Sequence, residues 1–160
     1  VLYSSQQSNI SLEEEIEQLQ LYLDIEKLRM GENFTYNITV DEEIEIDALK
    51  IPGMLLQPFV EHAVKHGLAL KEGEKRLNIL FAMLDEFHLH AVITDNGIGR
   101  QRSAELKAQQ KLMPYISKGI QLVKERLELL QQDKNLQASI HINDLPAGAG
   151  TSVTLIIPVS

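Results

Sequence analysis

The chain has no cysteine, which excludes disulfide bridges and every zinc site built on thiolates. It also lacks an excess of positive charge: 15 Lys and Arg stand against 23 Asp and Glu, a formal net charge of −8. That sign argues against generic binding to nucleic acid or to an anionic membrane, while a local basic patch could still hold phosphate. No apolar run is long enough to span a bilayer, and no secretory leader is visible. The first residue is Val1 rather than Met and stands in mid-pattern, which reads as a piece of a longer protein. The rest is ordinary globular material. Its 160 residues, 44% hydrophobic and 24% charged, suffice for one domain with a real core.

After a weakly patterned start, Ser11-Leu12-Glu13-Glu14 fits a capping box, and Leu12, Ile16, Leu19 and Leu23 recur at helical spacing. A helix is predicted there, closed by Gly31; its stripe would pack on its own domain or pair with another helix. Residues 34–40 alternate as a strand, and 45–51 read as a second, partly extended piece. A helix is predicted over 54–68, with Pro52 ahead of it, Pro58 near its first turns and Gly67 at its end. Residues 76–84 and 87–94 read as a β-hairpin around Asp85-Glu86. A helix-like stretch, 100–110, leads through an irregular link with Pro114 to a long helix over 119–132. Residues 136–143 and 151–159 close the chain as strands. Hairpins among helices predict the α+β class, with helices on one face of a sheet.

Chemistry concentrates at Asp95-Asn96-Gly97-Ile98-Gly99. A carboxylate fixed at a strand end, followed by glycines that let backbone approach a ligand, suits recognition of an exocyclic amine such as adenine's. An Asn-Gly turn with one further Gly is the ordinary alternative. His62 and His66 have the spacing of a zinc clamp, but Ala63 stands where a metalloprotease of the HExxH type needs Glu. His88, His90 and His141 are explained as residues of wet strand faces.

Four separated segments together resemble the LytS-type sensor histidine kinases. Residues 55–67 (LLQPFVEHAVKHG) resemble the family's N box, and Asp95 to Gly99 its first glycine box. Ser117-Lys118-Gly119-Ile120-Gln121-Leu122, running into VKERL, is similar to the second glycine box and the helix it opens. Gly150-Thr151, before an apolar strand ending in Pro158, is similar to the final glycine-threonine element. Residues 12–30 also look like the family's linker helix. Four motifs in one order over nearly the whole chain are specific where each alone would be weak.

The resemblance implies a GHKL (Bergerat) ATP-binding fold: a two-layer sandwich of a mixed, largely antiparallel sheet with helices on one face. Residues 1–31 would be the linker helix leading from a dimerisation and phosphoacceptor region, and 32–160 the catalytic domain. The implied activity is that of a protein-histidine kinase using ATP and Mg²⁺. Glu61 would be catalytic, polarising a nucleophile or water, with Lys65 one turn on to meet phosphate; an exposed i,i+4 ion pair is the plain alternative. His62, Asp95, Gly97, Gly99, Gly119, Ile120, Leu122 and Thr151 would complete the nucleotide site. Gly119 opens a helix whose free amides suit an anion, although it could simply start that helix. Thr151 would support the adenine pocket or be an ordinary strand residue. Residues 100–118 would form a lid offering Arg100, Arg102, Lys107, Lys111 and Lys118 to the triphosphate, or a solvated surface helix.

The chain departs from the family pattern at two positions. His62 matches the family's usual Asn, a Mg²⁺ ligand, and imidazole suits that hard cation less well. Gln121 matches a glycine of the second box. The family's phosphoacceptor pattern, of the kind Pro-His-Phe-Leu-Phe-Asn, does not occur, so the acceptor His is expected outside this sequence. Implied partners are ATP, the phosphoacceptor helices of the same protein and a response regulator, with a homodimer in the full-length protein and no nucleic acid. The implied location is the cytoplasmic side of an inner-membrane sensor. Alternatives are a GHKL-fold ATPase, or a nucleotide-binding or scaffolding module that has lost transfer.

Overall fold

Ser11 starts the first helix: its backbone is extended (φ −71°, ψ 152°) and its Oγ accepts the Glu14 N–H at 3.1 Å. In the computed structural model, which describes residues 9–109, 118–134 and 137–160, β1 (Asn9–Ser11) leads into α1 (Leu12–Met30). Glu13, Glu14 and Glu15 in its first turn complement the helix dipole. Gly31, at φ 85°, ends it by donating its N–H to the Lys27 carbonyl. Then follow β2 (Phe34–Val40), β3 (Lys50–Pro52), α2 (Gln57–Ala63) running on into a π-helical turn (Val64–Leu68), and the hairpin strands β4 (Lys75–Asp85) and β5 (His88–Asp95). The remaining elements are α3 (Arg100–Gln109), α4 (Lys118–Lys134), β6 (Ser139–Asp144) and β7 (Thr151–Pro158).

Five strands form one mixed sheet in the order β2-β4-β5-β7-β6. β2 runs parallel to β4, and every other pair is antiparallel. β1 and β3 pair separately as a small antiparallel ribbon. Alternation decides which side is covered. Leu77, Ile79 and Phe81 of β4, Leu89, Ala91 and Ile93 of β5, and Leu155 and Ile157 of β7 are all buried. They share one core with Leu12, Leu19 and Leu23 of α1, Phe59 and Val60 of α2, and Val123 and Leu127 of α4. Leu80, out of phase on β4, is 43% exposed. The α1 stripe thus packs into its own domain. The result is the expected two-layer α+β sandwich with a mixed sheet. The period of two that buries Leu89, Ala91 and Ile93 also brings Asp95 to the helix-covered face.

The structure departs from the sequence expectation at three places. The extended piece is confined to Lys50–Pro52; residues 45–49 turn instead, and the Ile46 and Leu49 carbonyls accept the N–H groups of Glu13 and Leu12. That segment satisfies otherwise orphaned donors at the start of α1. α2 starts at Gln57 rather than at 54, because Met54 has φ 62° and Pro58 occupies the first turn. His88 is buried rather than on a wet face. Its Nδ1–H donates to Asp85 Oδ1 at 2.7 Å and its Nε2 accepts the Gln137 N–H at 3.2 Å, so it joins the hairpin to the approach of β6.

Candidate functional site

β5, β6 and β7 bring three residues into one row: Asp95 lies opposite Thr151, which lies opposite Asp144. Beside that row, between the sheet and α2, α3 and the start of α4, opens a cavity of about 420 Å³. Its walls are apolar where Phe59, Ala63, Ile120, Ile142 and Val153 contribute. Asp95 is only 5% exposed and, among the described residues, is the one carboxylate lining the cavity. Its Oδ1 accepts the Gly97 N–H at 2.8 Å, and the Thr151 backbone also donates to it. Burial nevertheless pushes its carboxyl up to about 6, against the pull of those two bonds and of Lys71.

Glycine shapes the walls around this carboxylate. A Cβ on Gly97 would meet the Gly67 backbone, and a Cβ on Gly150, at φ 129°, would collide with the Asp95 carbonyl oxygen. The loop 95–99 is therefore pressed between the end of α2 and the start of β7. Asn96 anchors its outer side by accepting the Arg76 N–H at 2.6 Å and donating to the Glu74 carbonyl at 3.2 Å.

Toward solvent the cavity is polar and basic. His62 and His66, one turn apart, have ring centroids 4.7 Å from each other. Burial, then His66, then Lys107 push His62 down to about 4; burial and the two lysines Lys107 and Lys65 lower His66 as well. Both rings are thus neutral at ordinary pH. Arg100, where α3 begins, reaches Asp144 through two bonds of 2.8 and 2.9 Å.

The residues expected from the sequence divide into two groups. His62, Asp95, Gly99, Ile120 and Thr151 line the cavity, with Gly97 packed behind Asp95. Glu61, Lys65 and Leu122 do not line it. Glu61 accepts Gln57 Nε2–H at 3.2 Å and, with Glu26, raises the phenol of Tyr22 on α1, an effect that burial begins. Lys65 is exposed, and Leu122 is 58% exposed on α4. Gly119 stands half-buried in the first turn of α4. Of the expected lid, Arg100–Gln109 is helical, and residues 110–117, with Lys111 and Pro114, lie outside the described residues.

Sequence reasoning missed Phe59 and Ser103. Phe59, Ala63 and His66 at i, i+4 and i+7 could have been found as one helix face. Ser103 carried no signal. It is 5% exposed, it lines the cavity, and among the described residues its Oγ has no hydrogen-bond partner.

These features fit a purine nucleotide. Flat apolar walls, one buried acceptor and an orphaned hydroxyl are what a base and its polar edge would complete. A magnesium ion held by protein side chains fits poorly. The cavity's imidazoles are nitrogen donors for a cation that prefers oxygen. Glu61 is engaged elsewhere, and among the described residues no three His, Asp or Glu side chains converge to hold a metal.

No family model matches the chain. It is 31% identical to the sensor protein LytS of Oceanobacillus iheyensis over 95% of its own length and 26% of that protein's. It is 28% identical to the sensor histidine kinase YpdA of Escherichia coli over 93% of this chain and 24% of that one. The chain therefore spans about a quarter of the length of these curated relatives. Among solved structures it superposes on the mycobacterial sensor histidine kinase MprB with a TM-score of 0.62 and 18% identity, covering 95% and 97% of the two chains. The catalytic domain of the histidine kinase ThkA gives a TM-score of 0.61 at 12% identity, with 94% and 95% covered. Motifs, sheet order and relatives agree that the chain belongs to the LytS-type sensor histidine kinases and has the GHKL fold of a histidine kinase catalytic domain.

Proposed function

We propose that this chain binds ATP and is the part of a sensor histidine kinase that delivers the γ-phosphoryl group to a histidine outside these residues. The observation that carries this is Asp95, a buried carboxylate at a strand end set beside the cavity's apolar walls. The exocyclic amine of adenine would donate to it, with Thr151 and the bare backbone of Gly99 closing around the base and Gly97 holding Asp95 from behind. The triphosphate would run toward the amides at the start of α4, near Gly119, Ile120 and Leu122. Arg100, Lys107 and Lys65 supply positive charge on that side. Catalysis would be mainly positioning and charge stabilisation, as phosphoryl transfer generally requires. Magnesium would enter with the triphosphate. Glu61, once released from Gln57, would polarise the incoming acceptor, with neutral His62 beside it on α2.

The partners consistent with this role are the phosphoacceptor helices of the same protein, a second copy in a homodimer, and a response regulator. ThkA has been solved in complex with the response regulator TrrA. No helix among the described residues is long and apolar enough to cross a membrane. We place the domain on the cytoplasmic side of an inner-membrane sensor. A second reading, nucleotide binding without transfer, is favoured by Glu61 bonding to Gln57 rather than lining the cavity.

Calorimetric titration with ADP and ATP tests the binding. Asp95→Asn exchanges an acceptor oxygen for a donor and should cost about 1–3 kcal/mol of affinity. Unchanged affinity in a folded variant removes adenine from Asp95. Label from γ-labelled ATP should reach a longer protein that includes the preceding helices and not this chain alone. Binding without any label in the longer protein would select the second reading.

A further inference from the structure

Glu15 on α1 is 1% exposed and makes no contact with the cavity. Its two oxygens accept the backbone N–H groups of Met54 at 3.2 Å and Leu56 at 3.3 Å. Leu56 is the N-cap position of α2, where no side chain of the helix itself provides a cap. A carboxylate from another helix therefore accepts the N-cap N–H, the part that the N3 Glu of a capping box plays. Burial raises the Glu15 carboxyl, and the two backbone bonds and Arg126 oppose that rise.

Arg126 approaches the same loop from α4. Its Nη1 donates to the Gly53 carbonyl at 2.7 Å. The Gly53 carbonyl and the Met54 N–H belong to one peptide group. In a trans peptide these two atoms point in opposite directions. The guanidinium of α4 and the carboxylate of α1 thus hold opposite ends of one peptide plane, with the charges aligned to its dipole. Met54 is strained by this orientation, since φ 62° lies in the left-handed region that a residue with a side chain rarely adopts. Rotating the peptide would relieve Met54 and would break both bonds at once.

We infer that Glu15 and Arg126 are positioning residues of the nucleotide cavity, acting through the Gly53–Met54 peptide to tie α1 to the two helices that frame that cavity. α2 and the π-helical turn that continues it carry Phe59, His62 and His66 to one wall, and α4 carries Ile120 to another. A displacement of α1 would therefore reach both walls through that one peptide. The cavity's separation of α2 and α4 depends on where α1 stands. The inference rests on the nucleotide reading of the cavity, but it has a readout without ligand.

The test measures ADP affinity, thermal unfolding and amide exchange in Glu15→Gln, Arg126→Met and the double variant. Each single change should weaken ADP binding about 5- to 10-fold, and the double should be no weaker than the worse single. Arg126→Lys, which keeps a cation and a donor, should recover part of what Arg126→Met loses. Met54→Gly, which tolerates the left-handed backbone, should gain stability and keep the parent's ADP affinity. If both singles unfold at lower temperature but bind ADP like the parent, the two residues are structural only. Fully additive losses would likewise overturn the coupling. Should Glu15→Gln not fold, the comparison of Arg126→Met with Arg126→Lys decides, and equal affinity in those two overturns the inference. If the parent itself binds no ADP, the nucleotide reading fails. Exchange at the first turns of α4 then decides the inference: faster exchange in Glu15→Gln supports it, and parent-like exchange overturns it.

Discussion

Gly97 stands so close to Gly67 that a Cβ on it would lie 2.5 Å from the Gly67 carbonyl carbon. The same Cβ would lie 2.8 Å from Asp95 Oδ1, and the Ile98 N–H donates to the Gly67 carbonyl at 3.3 Å. Two motifs 30 residues apart in sequence are therefore in backbone contact, and the obstruction to a side chain is main chain, which cannot swing aside. Gly97→Ala should cost about 1–3 kcal/mol of stability in urea unfolding. It should also weaken ADP binding, since Asp95 moves with the loop. Gly73 offers a control: its φ is 84° with nothing within 4 Å, so Gly73→Ala should lose about 1 kcal/mol and keep nucleotide affinity. Parent-like stability of Gly97→Ala would mean that the loop stands away from α2.

Asp95 should set the pH dependence of binding. An amine donor needs the carboxylate, and burial has raised this group to about 6. ADP affinity should be level above about pH 7 and weaken as pH falls through 6. Stability should move the other way. A carboxyl raised in the folded state contributes most below its unfolded value of 3.8, and that contribution is lost as pH rises through 6. At ~1.4 kcal/mol per unit, the cost of keeping it ionised approaches 3 kcal/mol. Asp95→Asn, neutral throughout, should thus be more stable than the parent at pH 8, with the advantage shrinking toward pH 4. Urea midpoints at the two pH values check the sign, and a pH-independent difference would contradict it.

Local signals were readable and long-range ones were not. The α1 stripe, the β4–β5 hairpin and the end of β5 at Asp95 follow from spacing within a few residues, and the sequence placed them closely. Parallel pairing of β2 with β4 needs partners 41 residues apart, and alternation within a strand is silent on its neighbour's direction. The left-handed Met54 is imposed by Glu15 and Arg126 from distant helices, so no local propensity announces it. The same holds for the site. Asp95, Thr151 and Ile120 sit in recognisable motifs, whereas Ser103 is an inconspicuous helix residue until α3 lies over the cavity. Glu61 and Lys65 were placed on one helix face, but Phe59, Ala63 and His66 define the face that the cavity uses.

Arg100 and Asp144 form a bidentate pair half-open to water, with Arg100 at 49% and Asp144 at 58% side-chain exposure. Such a pair is worth little, so an arriving triphosphate can compete for the guanidinium. Asp144→Asn removes the competitor and one negative charge beside the cavity. ATP affinity should rise about 2- to 5-fold, with a smaller gain for ADP and a steeper loss on adding salt. Equal affinities for both nucleotides in parent and variant would place the phosphates away from Arg100.

His62 differs in its titration from what an isolated imidazole would do. An ordinary imidazole protonates near pH 6.5, in the middle of the usual assay range. Here burial, His66 and Lys107 hold His62 down to about 4. His66 and Lys107 both oppose a positive charge on that ring. His62 should therefore stay neutral from pH 8 to about pH 5, and the fall in ADP affinity through pH 6 should persist unchanged in His62→Asn. Stability responds in a lower window. A histidine depressed in the folded state takes up its proton first in the unfolded chain, so stability is lost as pH falls from 6.5 toward 4. His62→Asn should lose less stability than the parent over that interval, with His66 contributing the same sign in both proteins. The amide also offers an oxygen where the imidazole offers nitrogen, so Mg-ATP should bind more tightly to His62→Asn, while magnesium-free ADP should not. Urea midpoints from pH 7 to pH 4, with titrations in the presence and absence of magnesium, separate the two effects. A variant that loses stability on acidification as steeply as the parent would mean that the His62 ring is open to water. Equal Mg-ATP affinity in both would mean that this position does not reach the metal.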